Sequence, residues 1–347
     1  AARQGMRAQR LLVPVGWLLA LGAALLAATQ WGAVPVTPAD WWAAFDGAAQ
    51  SGSAHVLWHL RLPRALLAMA VGAALGLCGA LTQGLFRNPL ADPGLLGVTS
   101  GAACAAALVL TVLPAAPGAL PPAWRAGLLP AAAFAGALAA CVALERTARW
   151  LTPGSVAGLL LTGLALNAIT MSMVGLCSYL ATDEQLRSLT FWTLGSLSAA
   201  SWESVAVLGV ALAVCGRYAL RLAQGLNALA LGEAAAGHVG LDVPRLRAGL
   251  ITIVALLSAL AVAWCGLIGF IGLMAPHLVR SMAGADQRRV LPLAMAAGAL
   301  LLLGADTLAR TVAVPAEIPV GIFTALIGGP GFLVLLRGVA RQQGGHA

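Results

Sequence analysis

Long apolar stretches rich in Ala, Leu, Gly and Val, separated by short polar segments, run through almost the whole chain. They lack the apolar–polar alternation of membrane strands, so the pattern predicts helices rather than a barrel. The eighth stretch is short for a full crossing, and residues 188–198 predict a short, half-buried helix. The predicted spans are 11–31, 62–83, 94–113, 126–146, 155–180, 203–221, 246–265, 273–284, 290–309 and 319–339.

Composition places the chain in the membrane class. Hydrophobic residues make up 60% of its 347 positions and charged residues only 9%, against about 25% charged residues in soluble domains. We therefore expect an all-α polytopic membrane protein with a single transmembrane domain over residues 1–347. The first half covers about 11–200 and the second about 201–341, and the first apolar stretch is expected to be an uncleaved first helix.

All twenty basic residues are arginines, and this excludes some chemistry. A Walker A phosphate loop and a Schiff base both need a lysine, so neither is possible here. The twelve carboxylates lie in predicted loops or near span ends. A proton-coupled carrier usually needs an ionisable group near the midplane, so energy is expected to come from outside this chain. The six cysteines are scattered singly and predict buried apolar positions.

Arginine positions also predict orientation. With the N-terminus inside, fifteen of the twenty arginines fall on the inner side, as the positive-inside rule requires. Ten crossings would place both termini in the cytoplasm. Gly79 and Pro89 recur as Gly266 and Pro276 after 187 residues, which is weak evidence for two inverted five-helix halves. The alternative is coincidence in a glycine-rich chain.

Three outer arginines form a candidate docking patch for carboxylates. Arg61 and Arg64 are three residues apart and would share a helix face, and Arg310 ends the ninth span. Asp306 lies four residues before Arg310 and could orient it. Ordinary snorkelling of arginine to the membrane interface is the alternative.

Two further segments are candidates for a pathway or its inner gate. At the inner end of the second span, prolines prevent a simple helix, and such broken backbone is tolerated where it lines a cavity; a tight inner loop is the alternative. In the eighth span, His277 could contact a ligand, although a packing role is more common. Residues 328–331 are expected to interrupt the last span as a hinge or kink. The candidate pathway residues are Gln83, Asn88, Pro89, Leu90 and His277.

The segment 229–243 is too short to span and is unusually apolar for an inner loop. It predicts short helical pieces that insert into a partner protein, and a helix lying on lipid headgroups is the alternative. The candidate contact residues are Leu231, Gly232, Glu233, Ala236 and Gly240.

Five motifs together resemble the FecCD-type permeases of bacterial ABC importers. They are RLPR (61–64), QGLFRNPLADPGLLGVTSGA (83–102), LALGEAAAGHVGLDV (229–243), GFIGLMAPHLVR (269–280), and GADTLAR with AEIPVG and GGPGF (304–332). The resemblance implies a BtuCD-like type II importer permease in the bacterial inner membrane. It implies a homodimer bound by two ATP-binding subunits and a periplasmic binding protein. The chain itself would be no enzyme, with no metal site, no permanently bound cofactor and no nucleic-acid partner.

The resemblance implies roles for the motif residues. Arg61, Arg64 and Arg310 would dock the binding protein, the loop 229–243 would couple to the ATPase, and Asn88 would lie near the inner gate with Leu90 close by. Cargo is expected to be an iron chelate, with haem first because His277, Met274 and Tyr179 could contact an iron porphyrin. A siderophore or cobalamin is the alternative. The alternative from a different functional class is an ion-coupled carrier that acts without partner subunits.

Overall fold

The computed structural model describes residues 2–43, 52–112, 122–314 and 316–344. Helices dominate these residues, and the described part of the chain contains no strand. The α-helices are α1 Ala2–Gln30, α2 Pro38–Trp42, α3 Gly52–His55, α4 Leu62–Phe86, α5 Val98–Thr111, α6 Pro122–Leu151, α7 Val156–Leu180, α8 Asp183–Thr193, α9 Trp202–Leu229, α10 Glu233–His238, α11 Val243–Cys265, α12 Ile271–Ala283, α13 Gln287–Ala309 and α14 Val320–Gly344.

Each of the ten predicted spans corresponds to one helix. Within the described residues, six helical segments are long and apolar enough to cross a membrane, and three more apolar helices are shorter. The six are 52–86, 127–151, 156–180, 202–229, 243–265 and 287–309; the shorter three are 15–30, 98–111 and 320–334. The remaining predicted span, the eighth along the chain, corresponds to α12. This helix has 13 residues, so the expectation that the eighth span is short for a full crossing is confirmed.

Three details differ from the sequence-based expectation. The short helix α8 begins at Asp183 rather than 188, because Thr182 and Gln185 form a capping box that starts it. A π-helical turn over Val56–Arg61 precedes α4 and lengthens it outwards. Residues 328–331 do not interrupt the last helix, and α14 continues through Pro330. Gly328 instead leaves room for Phe270, which immediately precedes α12, and Gly331 leaves room for Met274 of α12.

Helix α4 is the centre of the fold. Most of its residues are buried, and it packs against α13 more extensively than any other pair of described helices. The contact is close because Gly72 and Gly76 face Gly298 across it, where a methyl group would meet backbone atoms. Small residues allow membrane helices to approach in this way, so Gly72 and Gly76 serve the packing of α4 against α13.

The repeated Gly–Pro spacing does not mark equivalent local structures. Gly79 lies inside α4, whereas Gly266 ends α11 with φ +67°. Pro89 lies in a turn, whereas Pro276 lies inside α12. The inverted relation of the two halves therefore gains no support from this spacing and stays a prediction.

Candidate functional site

Contacts among the described residues separate two ends of the helix bundle. One end brings together the C-terminus of α1, Arg61, Arg64 and Arg310. The other brings together the turn after α4, the loop 229–243 and the first turn of α11. These are the groups that the arginine pattern placed on the outer and inner sides, and we name the two ends outer and inner accordingly.

The side chain of Arg61 is buried and bonds to the backbone within the chain. It is 7% exposed, and its guanidinium donates to the carbonyl oxygens of Thr29 (3.0 Å), Gln30 (3.3 Å) and Val34 (2.6 Å). The last carbonyls of a helix have no partner within that helix, so Arg61 caps the end of α1. In the single chain both terminal nitrogens of Arg61 are thus bonded and its side chain is buried, and its contribution to a docking patch stays a prediction.

Arg64 lies between two carboxylates of very different exposure. Its Nε is 3.1 Å from both oxygens of Asp306, and its Nη2 is 3.0 Å from one of them. Asp306 is buried, whereas Glu317, which accepts a bond of 2.8 Å from Arg64 Nη1, has a side chain that is 49% exposed. Paired bonds of this geometry are among the strong ones in proteins. Asp306 thus holds Arg64 in place, and Glu317 covers its outer side.

Arg310 shares the cap of α1 with Arg61. Its guanidinium donates to the carbonyl oxygens of Trp31 (2.8 Å) and Ala28. The predicted pair with Asp306 exists, but at 3.8 Å it is looser than the pair that Asp306 makes with Arg64. The three arginines therefore form a paired cluster at the outer end rather than an open cationic patch.

Gln83 joins the last turn of α4 to α12. Its side chain is buried and donates towards the carbonyl oxygens of Gly272 (3.5 Å) and Leu273 (3.4 Å), while its carbonyl accepts a bond from Arg280. Arg280 makes no ion pair within the described part of the chain. His277 lies one turn before it, half-buried, and its ring makes no hydrogen bond to a described residue. The sequence analysis proposed Gln83 and His277 from separate segments. In the structure, Gln83 of α4 contacts α12, the helix that contains His277.

The segment after α4 forms an exposed turn. Arg87 ends the helix in the left-handed region with φ +50°, and the Asn88 side chain accepts a bond of 2.9 Å from the amide of Leu90. Such a turn is stabilised by its own side chain. Asn88, Pro89 and Leu90 are all exposed, and Arg87 Nη1 lies beside Gly232. The structure thus places the predicted gate segment next to the predicted coupling loop.

The inner loop contains the six-residue helix α10 between two glycines of positive φ, Gly232 (+110°) and Gly240 (+81°). Leu231 is 80% exposed, so the loop does present apolar surface at the inner end. Ala236 is fully buried in the single chain and supports the loop from inside, and its contact with a partner stays a prediction. Glu233, the first residue of α10, accepts a bond of 2.7 Å from Arg247.

Both ends of the inner loop are tied to neighbouring helices. Before the loop, the Asn227 amide donates to Asp286 (2.7 Å) and accepts from the backbone of Gln287 (2.9 Å). The hydrogen bond from Asn227 lowers the pKa of the Asp286 carboxyl. After the loop, Arg247 bonds to Glu233 and to the carbonyl oxygen of Gly154. These contacts connect α9 to α13, and α11 to the turn between α6 and α7.

Sequence reasoning missed Glu317, Arg247 and Asn227 as site residues. Glu317 was part of a motif, but nothing local indicated that its partner would be Arg64, 253 residues away. Arg247 was used only as an orientation signal. Its partner Glu233 is 14 residues away, beyond the reach of an i,i+3 or i,i+4 pair on one helix, and the two meet because the loop folds back between them. Asn227 carried no charge signal at all.

Within the described residues the structure contains helices and no strand, and six helical segments are long and apolar enough to cross a membrane, which indicates a multi-pass membrane protein. The chain belongs to the FecCD transport family, whose model matches residues 18–338. It is 44% identical over 84% of its length to the hemin transport system permease protein HmuU of Yersinia pestis, covering 86% of that protein.

Two other comparisons agree on the family. The vitamin B12 import system permease protein BtuC of Citrobacter koseri is 40% identical, with 92% of this chain and 91% of that protein covered. A solved structure described as an inward-facing conformation of a metal-chelate type ABC transporter superposes with a TM-score of 0.80. That structure is 31% identical and covers 94% of this chain and 99% of its own. The sequence-based identification of the family is confirmed.

Proposed function

We propose that this chain is the membrane permease subunit of an ATP-driven importer that moves an iron chelate, first of all haem, from the periplasm to the cytoplasm. The observation that carries the proposal is the 44% identity over 84% of the chain to a hemin permease. The structure supports it with an exposed apolar loop at one end and a charged cluster at the other. ATP hydrolysis would reside in a separate subunit, because this chain has no lysine for a Walker A loop.

At the inner end, the loop around α10 is the proposed contact for two copies of an ATP-binding subunit. Leu231, Gly232, Glu233 and Gly240 lie at its surface or edge, whereas Ala236 supports it from below. Exposed apolar surface of this kind favours a protein partner. The exposed turn 87–90 lies beside the loop, so a displacement of α10 would reach the proposed gate directly.

At the outer end, Arg64 and Arg310 are the proposed docking residues for a periplasmic binding protein. A carboxylate of that protein would compete with Glu317 for Arg64, since Glu317 is the exposed one of its two partners. Asp306 would remain in place and keep Arg64 oriented. Arg61 would act indirectly, by holding the end of α1 next to this surface.

The proposed pathway passes α4 and α12. Gln83 of α4 fixes these two helices to each other. His277 lies on α12, and its ring nitrogens make no hydrogen bond to a described residue. Alternating access would require the two helices to move relative to each other. The turn at Asn88, Pro89 and Leu90 would close the inner side when the loop around α10 is displaced.

The assembly is proposed to be a homodimer in the bacterial inner membrane, with both termini in the cytoplasm. Fifteen of the twenty arginines then lie on the cytoplasmic side. Helices α6, α7 and α9 expose much of their apolar surface in the single chain, and lipid and the second copy would cover it. The alternative cargo is a siderophore or cobalamin, and the similarity to BtuC supports cobalamin.

The test is uptake by reconstituted vesicles. The chain is combined with its cognate ATP-binding subunit and binding protein, and haem, a ferric siderophore and cobalamin are supplied in turn. ATP-dependent accumulation of haem above the other two supports the proposal, and preference for another chelate would reassign the cargo. Accumulation by the chain alone, driven by an ion gradient and without ATP, would instead establish an ion-coupled carrier.

A further inference from the structure

We propose that Arg247 is a positioning residue that links the loop around α10 to the membrane helices, so that a displacement of this loop moves α11 and the turn between α6 and α7. The inference rests on the proposed function, because it assumes that an ATP-binding subunit displaces the loop. It adds a specific side chain through which that displacement is transmitted.

The guanidinium of Arg247 bonds to two segments that are distant from it in sequence. Arg247 lies in the first helical turns of α11, which begins at Val243. Its Nη2 is 2.7 Å from a carboxylate oxygen of Glu233, and its Nη1 is 3.3 Å from the carbonyl oxygen of Gly154. Its side chain is 19% exposed, so water weakens this link less than it would at an open surface.

Helix α10 needs such a link to move as a unit with the membrane part. Six residues are too few to be stable as an isolated helix, and the glycines at positions 232 and 240 flank it with positive φ. Among the described residues, the pair with Arg247 is the one ion pair that joins α10 to another helix. The buried Ala236 adds a packing contact, but one methyl group does not define a direction.

Helix α11 is suited to carry the motion onwards. Two-thirds of its apolar window is buried inside the chain, and it packs against α4, α6 and α9. Leu246 and Leu250 are buried on either side of Arg247 along the sequence. A rotation of α10 that pulls Glu233 would therefore pull a helix in contact with the central helix α4.

The residue type matters for this role. Arginine offers donors in a rigid planar fork that can bond in two directions at once, whereas the ammonium group of lysine is a point charge on a flexible stem. Arg247 uses two terminal nitrogens for two different partners. We therefore expect Arg247→Lys to retain the charge but not the double link.

The chain provides a matched control in Arg245. It lies two residues earlier, its side chain is 88% exposed, and its one ion pair within the described chain is with Asp242 at 3.0 Å, three residues away. Substituting Arg245 removes the same charge from the same helix without cutting a link between segments. Any effect of net charge at the inner surface will therefore appear in both variants.

The experiment measures ATP hydrolysis and cargo uptake in the same vesicles, with the full complex of permease, ATP-binding subunit and binding protein. Arg247→Gln is expected to lower the cargo moved per ATP hydrolysed about fivefold, the factor that corresponds to about 1 kcal/mol, while the ATP-binding subunit still copurifies. Arg247→Lys is expected to fall between the wild type and Arg247→Gln, and Arg245→Gln to match the wild type.

A charge exchange separates positioning from general stability. The double variant Glu233→Arg with Arg247→Glu is expected to recover part of the lost ratio, whereas Glu233→Arg alone is not. A normal ratio in Arg247→Gln, or an equal loss in Arg245→Gln, would overturn the inference. If Arg247→Gln does not assemble, a normal ratio in Arg247→Lys overturns it. If the wild-type complex neither binds an ATP-binding subunit nor uses ATP, the proposed function itself has failed.

Discussion

The contact between α4 and α13 predicts a strong effect from a single methyl group. In Gly298→Ala, the new Cβ would lie 2.9 Å from the carbonyl carbon of Gly72, closer still to its oxygen, and 3.2 Å from the Cα of Gly76. Carbon atoms pack at about 3.5–4.0 Å, so the two helices would have to move apart by about 1 Å. None of the crowded atoms belongs to a flexible side chain that could turn away.

The magnitude follows from the loss of packing. A gap of about 0.5–1 Å removes a quarter to a half of the dispersion attraction between facing atoms, and overpacking typically costs about 1–3 kcal/mol. With a shift of roughly 2–4 °C in melting temperature per kcal/mol for a large domain, Gly298→Ala is expected to melt about 2–12 °C below the wild type. The packing of α4, and hence the position of Gln83, would be disturbed with it.

The assay is thermal unfolding of the purified chain in detergent, with Gly304→Ala as the control on the same helix. Gly304 is exposed, and a methyl group there would meet nothing within 4 Å. Alanine also favours helix over glycine by about 1 kcal/mol, so this control should melt at or above the wild-type temperature. Equal melting of the two variants would refute the close approach of the helices.

Three further results are expected from polar contacts at the two ends. Asp306→Asn should destabilise the chain by about 1–3 kcal/mol, because Arg64 loses its buried charged partner and keeps only the exposed Glu317; unfolding in denaturant measures this. Glu317→Gln should change stability by less than about 1 kcal/mol but increase the affinity for the binding protein in a titration, since Arg64 loses its exposed competitor. Because the folded pKa of Asp286 is lowered, its contact with Asn227 is stabilising above the ordinary aspartate pKa and is lost only as pH falls through the lowered value. The difference in stability between wild type and Asn227→Ala should therefore stay constant from about pH 5 to 8.

Much of the fold could be predicted because it depends on long apolar stretches. Each predicted span contains enough consecutive apolar residues to define a helix without knowledge of its neighbours. Local chemistry also determines where helices begin and end. At Thr182 the capping box starts α8 earlier than predicted. The tight turn at Asn88 was among the predicted alternatives, since it depends on neighbouring residues alone.

The polar sites were harder to predict because their partners are distant in sequence or belong to the backbone. Arg64 and Asp306 are separated by 242 residues, and no single-sequence pattern connects them. The contacts of Arg61 could not be predicted for another reason. Its spacing from Arg64 suggested a shared face, but its acceptors are backbone carbonyls of α1, which the identity of a residue does not reveal.

The cap on the first helix has a consequence for how the chain is assembled during synthesis. Arg61 follows α1 closely, whereas Arg310 is 282 residues beyond Ala28, whose carbonyl it binds. Arg310 cannot bind before it is translated, so the end of α1 stays partly uncapped until the ribosome has made the 282 residues that separate the two positions. A residue at the end of α13 thus completes the cap of a helix made much earlier, and a nascent chain that stops before Arg310 would leave α1 incompletely fixed.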